Sequence, residues 1–353
     1  MTQKTILFVG GGSIGHIAPS IAVCEELEDA TVHFVCGNRQ SEADYIQEEG
    51  YECSKLDAPR LGITFPWKFW KACGQSKKIL DRIKPDIIFS KGGYVSVPLC
   101  FVAHRKKIPI VLHESDAVSG YANRLVSRWA QTICQGFPTS NAQQVTSNIY
   151  TGNPIRKSVT KGSKKEGLKI TGLKDDKPVL LVIGGSQGSL ILNNAIITNA
   201  DELLQICNII HITGEGKDGI THNTQHTTHN YYSTPFAHAE LPHFYACSDL
   251  ALSRAGAGAL AELAANSIPT IVVPLRGVGH DHQKKNAEAA AESGGCTELD
   301  EDTLCNTIVE TVKSISQLPD RRIEMSRAIA SMSASDSAGQ IAKILSEDPC
   351  KHA

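Results

Sequence analysis

Apolar residues along this chain come in short bursts, separated by longer stretches in which apolar positions recur every three or four residues. Bursts of strand length stand at Ile6–Val9, Val32–Cys36, Asp86–Ser90, Ile110–Leu112 and Thr132–Cys134. The pattern stops after Asn153-Pro154, crosses a polar, lysine-rich stretch from Lys157 to Lys177, and restarts at Val179–Ile183. Further bursts follow at Ile209–Ile212, Leu250–Leu252 and Thr270–Val273. Strand-length runs alternating with helical spacing predict repeated βα units and largely parallel sheets. The fold class is therefore α/β, with two doubly wound domains over residues 1–157 and 158–334 and Lys157–Lys177 as the linker. The tail is helical and polar from Leu318, and residues 335–353 are expected to pack back on the first domain.

Each half opens on a glycine-rich turn. GGGSIGHIAP, Gly10 to Pro19, follows the first strand, and GGSQGS, Gly184 to Ser189, follows the restart. Such turns let backbone N–H groups and a helix N-terminus approach an anion closely. A third cluster, SRAGAGALAELAA from Ser253 to Ala265, is a helix start with Glu262 further in. Two phosphate-type turns, one at the first strand of each half, predict two Rossmann-like domains facing a cleft, and an enzyme for a phosphorylated, nucleotide-like ligand.

Composition narrows the class. A chain of 353 residues accommodates two domains with separate cores. With 35 basic and 37 acidic residues there is no global pull toward nucleic acid. Eleven cysteines are scattered singly, with no C-x-x-C pair, as expected of reduced thiols in a cytoplasmic protein. No run approaches the ~18 apolar residues of a spanning helix, so the protein is expected to be neither exported nor integral. The run HNTQHTTHN spaces His222, His226 and His229 along a helix, yet has no carboxylate or cysteine partner and reads as a solvated loop. No metal and no cofactor are expected.

Three carboxylate and imidazole positions carry the candidate chemistry. His16 ends the first glycine turn, at the sheet edge where α/β ligands bind, and is either a general base or a local helix cap. His113-Glu114 and Asp116 follow another strand end; Glu114 either orients a histidine or binds backbone N–H groups. Glu262 lies early in the helix after Gly256-Ala257-Gly258, placed either for ribose hydroxyls or to complement the helix dipole. In Leu61–Lys84, Phe65, Trp67, Phe69 and Trp70 are interleaved with Lys68, Lys71, Lys77 and Lys78. That mixture suits the headgroup boundary of an anionic membrane, and equally a core helix with lysines facing water.

GGGSIGHIAP, KGGYVSVP (Lys91 to Pro98), HESDAVSGYANR (His113 to Arg124), GNPIR (Gly152 to Arg156), GGSQGS, RAGAGALAEL (Arg254 to Leu263) and DHQKKNA (Asp281 to Ala287), in this order, resemble the MurG family. The resemblance implies a GT-B fold and metal-independent, inverting transfer of GlcNAc from UDP-GlcNAc to the muramyl C4 hydroxyl of lipid I, undecaprenyl-pyrophosphoryl-MurNAc-pentapeptide. It implies an acceptor-binding first domain and a nucleotide-sugar-binding second one. Residue by residue it assigns catalysis to His16 and Glu114, and donor binding to Gly12, Ser13, Ile14, Gly15, Asn123, Arg156, Ser186, Gln187, Ala237, Gly258, Ala259, Glu262 and Gln283. Uracil is expected against backbone near Phe236 and Ala237, and Asn286 is a further sugar-reading amide. The resemblance also implies attachment to the cytoplasmic face of the membrane, with contacts from the four aromatic residues, and association with other cell-wall synthesis proteins. Four residues depart from the family pattern: Ser13 and Ile14 stand where GGTGGH is usual, Ala259 where threonine is frequent, and Asp116 where asparagine is common. A related transferase with another lipid acceptor such as diacylglycerol, and a non-catalytic UDP-sugar-binding scaffold, are the alternatives.

Overall fold

The computed structural model describes residues 3–12, 14–59, 65–138, 148–185, 187–217, 230–277 and 281–347. Two compact units emerge: the described residues up to Arg156 together with those from Ala334 onward, and Lys157–Ser333.

The first unit is built on a seven-stranded sheet, with β1 (Lys4–Gly10), β2 (Ala30–Cys36), β3 (Glu52–Lys55), β4 (Ile87–Gly92), β5 (Ile110–Glu114), β6 (Thr132–Gln135) and β7 (Asn148–Tyr150). The strands lie in the order β3-β2-β1-β4-β5-β6-β7, and every pairing is parallel. The second unit holds six, β8 (Val179–Ile183), β9 (Asn208–Ile212), β10 (Tyr231–Thr234), β11 (Leu250–Ser253), β12 (Thr270–Val272) and β13 (Cys296–Glu298). They too are all parallel, in the order β10-β9-β8-β11-β12-β13. Both sheets therefore reverse strand order once, between β1 and β4 and between β8 and β11. The carboxyl ends of those strands are where such sheets bind ligands.

Central strands form because their residues are apolar on both faces. Ile6, Leu7, Phe8 and Val9 of β1, and Val179 to Val182 of β8, are all but inaccessible. Helices cover both faces of the first sheet; one layer gathers Ile6, Phe8, Ile21, Phe34 and Ile46, the other Leu7, Val9, Leu80, Leu99 and Leu112. The helix Ser337–Ser346 closes the first of these layers with Ile341, Ala342, Ile344 and Leu345. Lys4 binds its C-terminal carbonyls, donating to Leu345 O at 2.7 Å and Glu347 O at 2.8 Å, the favourable end for a cation.

The stretch Lys157–Lys177 is not an unstructured linker. It forms a 3-10 turn, Lys157–Thr160, and a helix, Lys164–Thr171, which Ser163 caps by accepting from Glu166 N. Gly167 lets this helix lie against the backbone of His243; any side chain there would collide with it.

Candidate active site

The switch point of the first sheet brings together the ends of β1, β4 and β5. The chain turns through Gly12 at φ +103°, a conformation that favours glycine. The carboxylate of Glu42, only 1 % exposed, then takes the loop's amide: Oε1 accepts from Gly12 N at 2.9 Å and Oε2 from Gly37 N at 3.1 Å. Arg39 donates to Gly12 O at 2.9 Å. In this turn, where a phosphate cradle is expected, the Gly12 N–H is bound to an internal anion. The following helix, Ala18–Cys24, is also short and has no side-chain cap. Ser13 lies outside the described residues, while Ile14 and Gly15 belong to the 3-10 turn Ile14–His16. His16 ends that turn half-buried, and its Nε2 lies 3.9 Å from where a Cβ on Gly93 would stand.

Glu114, 7 % exposed at the end of β5, accepts from Asp116 N at 3.1 Å and from Asn123 Nδ2 at 2.8 Å. Burial raises its pKa, and the Asn123 hydrogen bond opposes the rise. Asn123 Oδ1 is buried against Gly92 without a hydrogen-bond partner. Of the two roles open for Glu114, orienting a histidine or binding backbone N–H groups, the Asp116 contact is of the second kind, and the Asn123 contact is to a side-chain amide. The neighbouring His113 is oriented by Lys91, whose Nζ lies 2.9 Å from His113 Nδ1 and against Ser115 Oγ. An ammonium can only donate, so His113 carries its proton on Nε2 and donates to Gly152 O at 3.0 Å. Burial first, then the lysine charge, holds this imidazole well below its ordinary pKa. Lys91 is 1 % exposed and is pulled down to about 8 by burial, against the attraction of Glu114 and Asp116.

Arg156, expected at the donor, is taken up elsewhere. Its guanidinium binds Glu25 at 2.7 Å and grips Glu49 through both oxygens at 2.6 and 3.0 Å. Glu25 and Glu49 follow the C-terminal ends of the helices Ala18–Cys24 and Gln40–Glu48. Since those helices run back from the strand tips, this triad is at the opposite end of the layer from Gly12 and His16.

In the second unit, the turn after β8 folds tightly. Gly188 N donates to Gly185 O at 2.9 Å, and Gly188 itself has φ +65° and lies directly on the backbone of Thr213 and Gly214. Lys217 clasps the turn through Gln187 O at 2.6 Å and Gly188 O at 3.0 Å, leaving the Gln187 side chain at an exposed position. Ser186 lies outside the described residues. Ser189 then caps the helix Leu190–Thr198, and its Oγ also accepts from Arg254 at 3.1 and 2.9 Å. Arg254, itself buried, is paired with Glu301 at 2.5 Å.

Across the switch point, the helix Ala257–Ala265 starts at Gly256 without a side-chain cap, and its first internal bond is Leu260 N to Gly256 O at 3.0 Å. The N–H groups of Ala257, Gly258 and Ala259 precede that bond and point out of the helix end. A Cβ on Gly256 or Gly258 would meet nothing within 4 Å, so the space over this end is open. Glu262 lies one turn in, half-buried, and accepts from the phenol of buried Tyr245 at 2.7 Å. Burial raises the Glu262 pKa and the phenol hydrogen bond opposes it. Gln283 accepts from Leu275 N at 3.0 Å. Asn286 is fully buried and donates to Ala255 O at 3.1 Å, which supports the backbone under the glycine turn. Phe236 is largely exposed beside buried Ala237, and its carbonyl accepts from Thr234 Oγ1 at 2.8 Å.

Lys91, Glu42, Tyr245, Arg254 and Glu301 are site-edge residues that pattern reading did not single out. Lys91 and Arg254 had a signal, each a basic residue leading from an apolar run into a glycine cluster; Glu42, Tyr245 and Glu301 had none. His222, His226 and His229 lie outside the described residues, and no group of three His, Cys, Asp or Glu among the described residues could hold a metal ion.

The aromatic segment forms the helix Phe65–Ile83. Trp67 and Trp70 are 84 % and 64 % exposed. Phe69 instead packs against the core layer, its ring 5.8 Å from Phe101, and Phe65 stacks on Phe69 at 5.5 Å. Among the described residues no helix is long and apolar enough to cross a membrane.

The comparisons with known proteins follow this division. The N-terminal domain model of glycosyltransferase family 28 matches residues 6–135, and the C-terminal domain model matches 179–341. The UDP-N-acetylglucosamine–N-acetylmuramyl-(pentapeptide) pyrophosphoryl-undecaprenol N-acetylglucosamine transferase of Clostridium botulinum (strain Langeland) is 37 % identical over 314 residues, 86 % of this chain and 88 % of that protein. The transferase of the same name from Clostridium tetani is 35 % identical over 317 residues, 87 % of this chain and 88 % of its own. In fold, the chain is similar to MurG of Acinetobacter baumannii, with a TM-score of 0.78 over 97 % of this chain and 99 % of that one at 22 % identity. It is also similar to the UDP-GlcNAc 2-epimerase of Neisseria meningitidis bound to UDP-GlcNAc, with a TM-score of 0.68 over 98 % and 100 % of the two chains at 16 % identity. The fold is the GT-B type expected from the resemblance, two Rossmann-like units on parallel sheets. The chain belongs to the MurG family, within glycosyltransferase family 28.

Proposed function

We propose that the protein transfers GlcNAc from UDP-GlcNAc to the C4 hydroxyl of MurNAc in lipid I, with inversion at the anomeric carbon, giving lipid II and UDP in peptidoglycan synthesis. The observation that carries this reading is the extent of the kinship, which runs through both units at 37 % identity over 314 residues. Transfer needs a base for the acceptor proton and stabilisation for the departing diphosphate. His16 is the base; in its support, it is the titratable side chain on the turn at the first switch point. In the second unit, the open N-terminus of Ala257–Ala265 receives the diphosphate and Glu262 accepts from the ribose hydroxyls. Preorganised N–H groups at a helix end suit a dianionic leaving group. Asn123 and Glu114 shape the acceptor edge, with Asn123 Oδ1 the acceptor still to be paired. Gln187 and Gln283 hold the sugar and its turn.

The membrane reading belongs here too. Trp67 and Trp70, with Lys68 and Lys71 between and beside them, attach the protein to the anionic cytoplasmic face without spanning it. Work alongside other cell-wall proteins in cell division and cell shape follows from that product. Incubating the purified protein with labelled UDP-GlcNAc and a panel of lipid acceptors tests the reading. Lipid I is expected to be glycosylated; turnover on diacylglycerol instead, or UDP-GlcNAc binding with no transfer, would replace it by a different acceptor or by a scaffold role.

A further inference from the structure

We propose that Cys36 and Cys53 form a thiol–disulfide site whose oxidation acts on the first glycine turn. Cys36 ends β2 and Cys53 lies on β3, in a register that sets Phe34 beside Cys53 and Cys36 beside Lys55. The two cysteines are thus diagonal neighbours on one face of the sheet, and their sulfur atoms are 3.1 Å apart. A disulfide bond is about 2.05 Å long, so closing it draws the strands together by about 1 Å. β3 is a four-residue strand at the edge of the sheet, and Cys36 is the last residue of β2, so the adjustment is shared between β3 and the end of β2.

The two thiols divide the work. Cys53 is half-buried, while Cys36 is inaccessible. Hydrogen bonding from Cys36 and the nearby Lys55 charge hold the Cys53 thiol below its ordinary pKa, against the effect of burial. Thiolate character and access select the sulfur that reacts first. With a peroxide as oxidant, the Cys53 thiolate attacks one oxygen, the O–O bond breaks, and hydroxide leaves and is protonated to water. The resulting sulfenic sulfur is attacked by Cys36; the S–S bond forms, the S–O bond breaks, and a second water departs with the Cys36 proton. Two thiols lose two electrons and one peroxide becomes two waters.

The mechanical link to the turn is short. Gly37, next after Cys36, donates to Glu42, and Glu42 holds Gly12 N through its other oxygen. Gly11 is packed so closely that a Cβ there would lie 2.9 Å from Gly37 N. With no slack between these backbones, the part of the shift taken up at Cys36 reaches the turn that carries His16.

The reduced, full-length protein is treated with hydrogen peroxide and mapped after trypsin. Cleavage after Arg39 separates the two cysteines, and fragmentation distinguishes Cys36 from Cys24 on the same peptide. A Cys36–Cys53 cross-link is expected, with amide exchange over Gly10–His16 accelerated severalfold. Turnover on lipid I should fall at least about fivefold, since a misplacement of about 1 Å commonly costs far more. Dithiothreitol should reverse both effects. Cys53→Ser should abolish cross-link and sensitivity together, as should Cys36→Ala; if the buried alanine variant does not fold, the serine variant decides alone. Failure to find the cross-link in folded protein overturns the proposal. So does a cross-link that leaves Gly10–His16 exchange unchanged. These two readouts are independent of the proposed transfer reaction, so failure of that reading and failure of this site are distinguishable.

Discussion

Lys91 is an ammonium group only 1 % exposed, and the cost of keeping it there can be measured. Its pKa falls from 10.5 to about 8 in the fold, burial being the cause. That fall corresponds to about 3 kcal/mol of differential interaction between the charged and neutral forms. The folded state gives up its proton near pH 8 and the unfolded chain holds its own until 10.5, so between these values the unfolded state binds more protons. Stability from this group therefore rises with pH through that window, and below pH 8 the full cost is present. By pH 9.5, about 2 kcal/mol of the cost should have been relieved. Lys91→Met keeps the volume and removes the charge. At pH 7 it relieves about 3 kcal/mol but leaves His113 Nδ1 without its donor, a loss of about 1–3 kcal/mol. The absolute change is thus small, and the pH slope decides. All three tryptophans, Trp67, Trp70 and Trp129, lie in the first unit, so urea unfolding followed by tryptophan fluorescence reports on that unit. The stability difference, parent minus variant, should grow in the parent's favour by about 2 kcal/mol from pH 7 to 9.5. A difference that stays flat over this range would refute the buried, charged lysine.

Other consequences are more direct. Glu262→Ala should weaken UDP binding by about 1.5–3 kcal/mol, the range for a hydrogen bond to a charged group, and calorimetry showing no loss would remove the ribose assignment. His16→Ala should bind UDP normally and turn over about 100-fold or more slowly, as for loss of a general base; near-normal kcat would make His16 a helix cap. Replacing Trp67 and Trp70 together by Ala should reduce co-sedimentation with anionic vesicles and turnover on long-chain lipid I while sparing UDP affinity. Vesicle binding by the parent should also weaken as ionic strength rises and screening shortens, and a double variant that sediments like the parent at every salt concentration would leave the exposed indoles without that role.

How far the chain could be read in advance depended on which physical term decided each feature. Every strand recognised by its apolar run, from Ile6–Val9 to Thr270–Val273, is present. The four that pattern reading passed over, β3, β7, β10 and β13, are the edges of the two sheets. Edge strands such as Glu-Cys-Ser-Lys and Tyr-Tyr-Ser-Thr need not be apolar on both faces, so their pairing is settled by the neighbouring strand and not by composition. The same distinction runs through the site. Spacing located the glycine turns and Glu262, because the backbone geometry of a strand–turn–helix is local. Whether a donor in such a turn is available is not local: Gly12 N is filled by Glu42, 30 residues further on, and Arg156 by Glu25 and Glu49, 131 and 107 residues away. The Asn286 amide likewise has a partner that spacing does not show, Ala255 O, 31 residues back. This difference separates the first glycine turn from the helix start at Gly256. In the first, Gly12 N is taken by the internal carboxylate of Glu42. The helix end at Gly256 has open space above its N–H groups, and that is why the proposed transfer assigns the diphosphate to it.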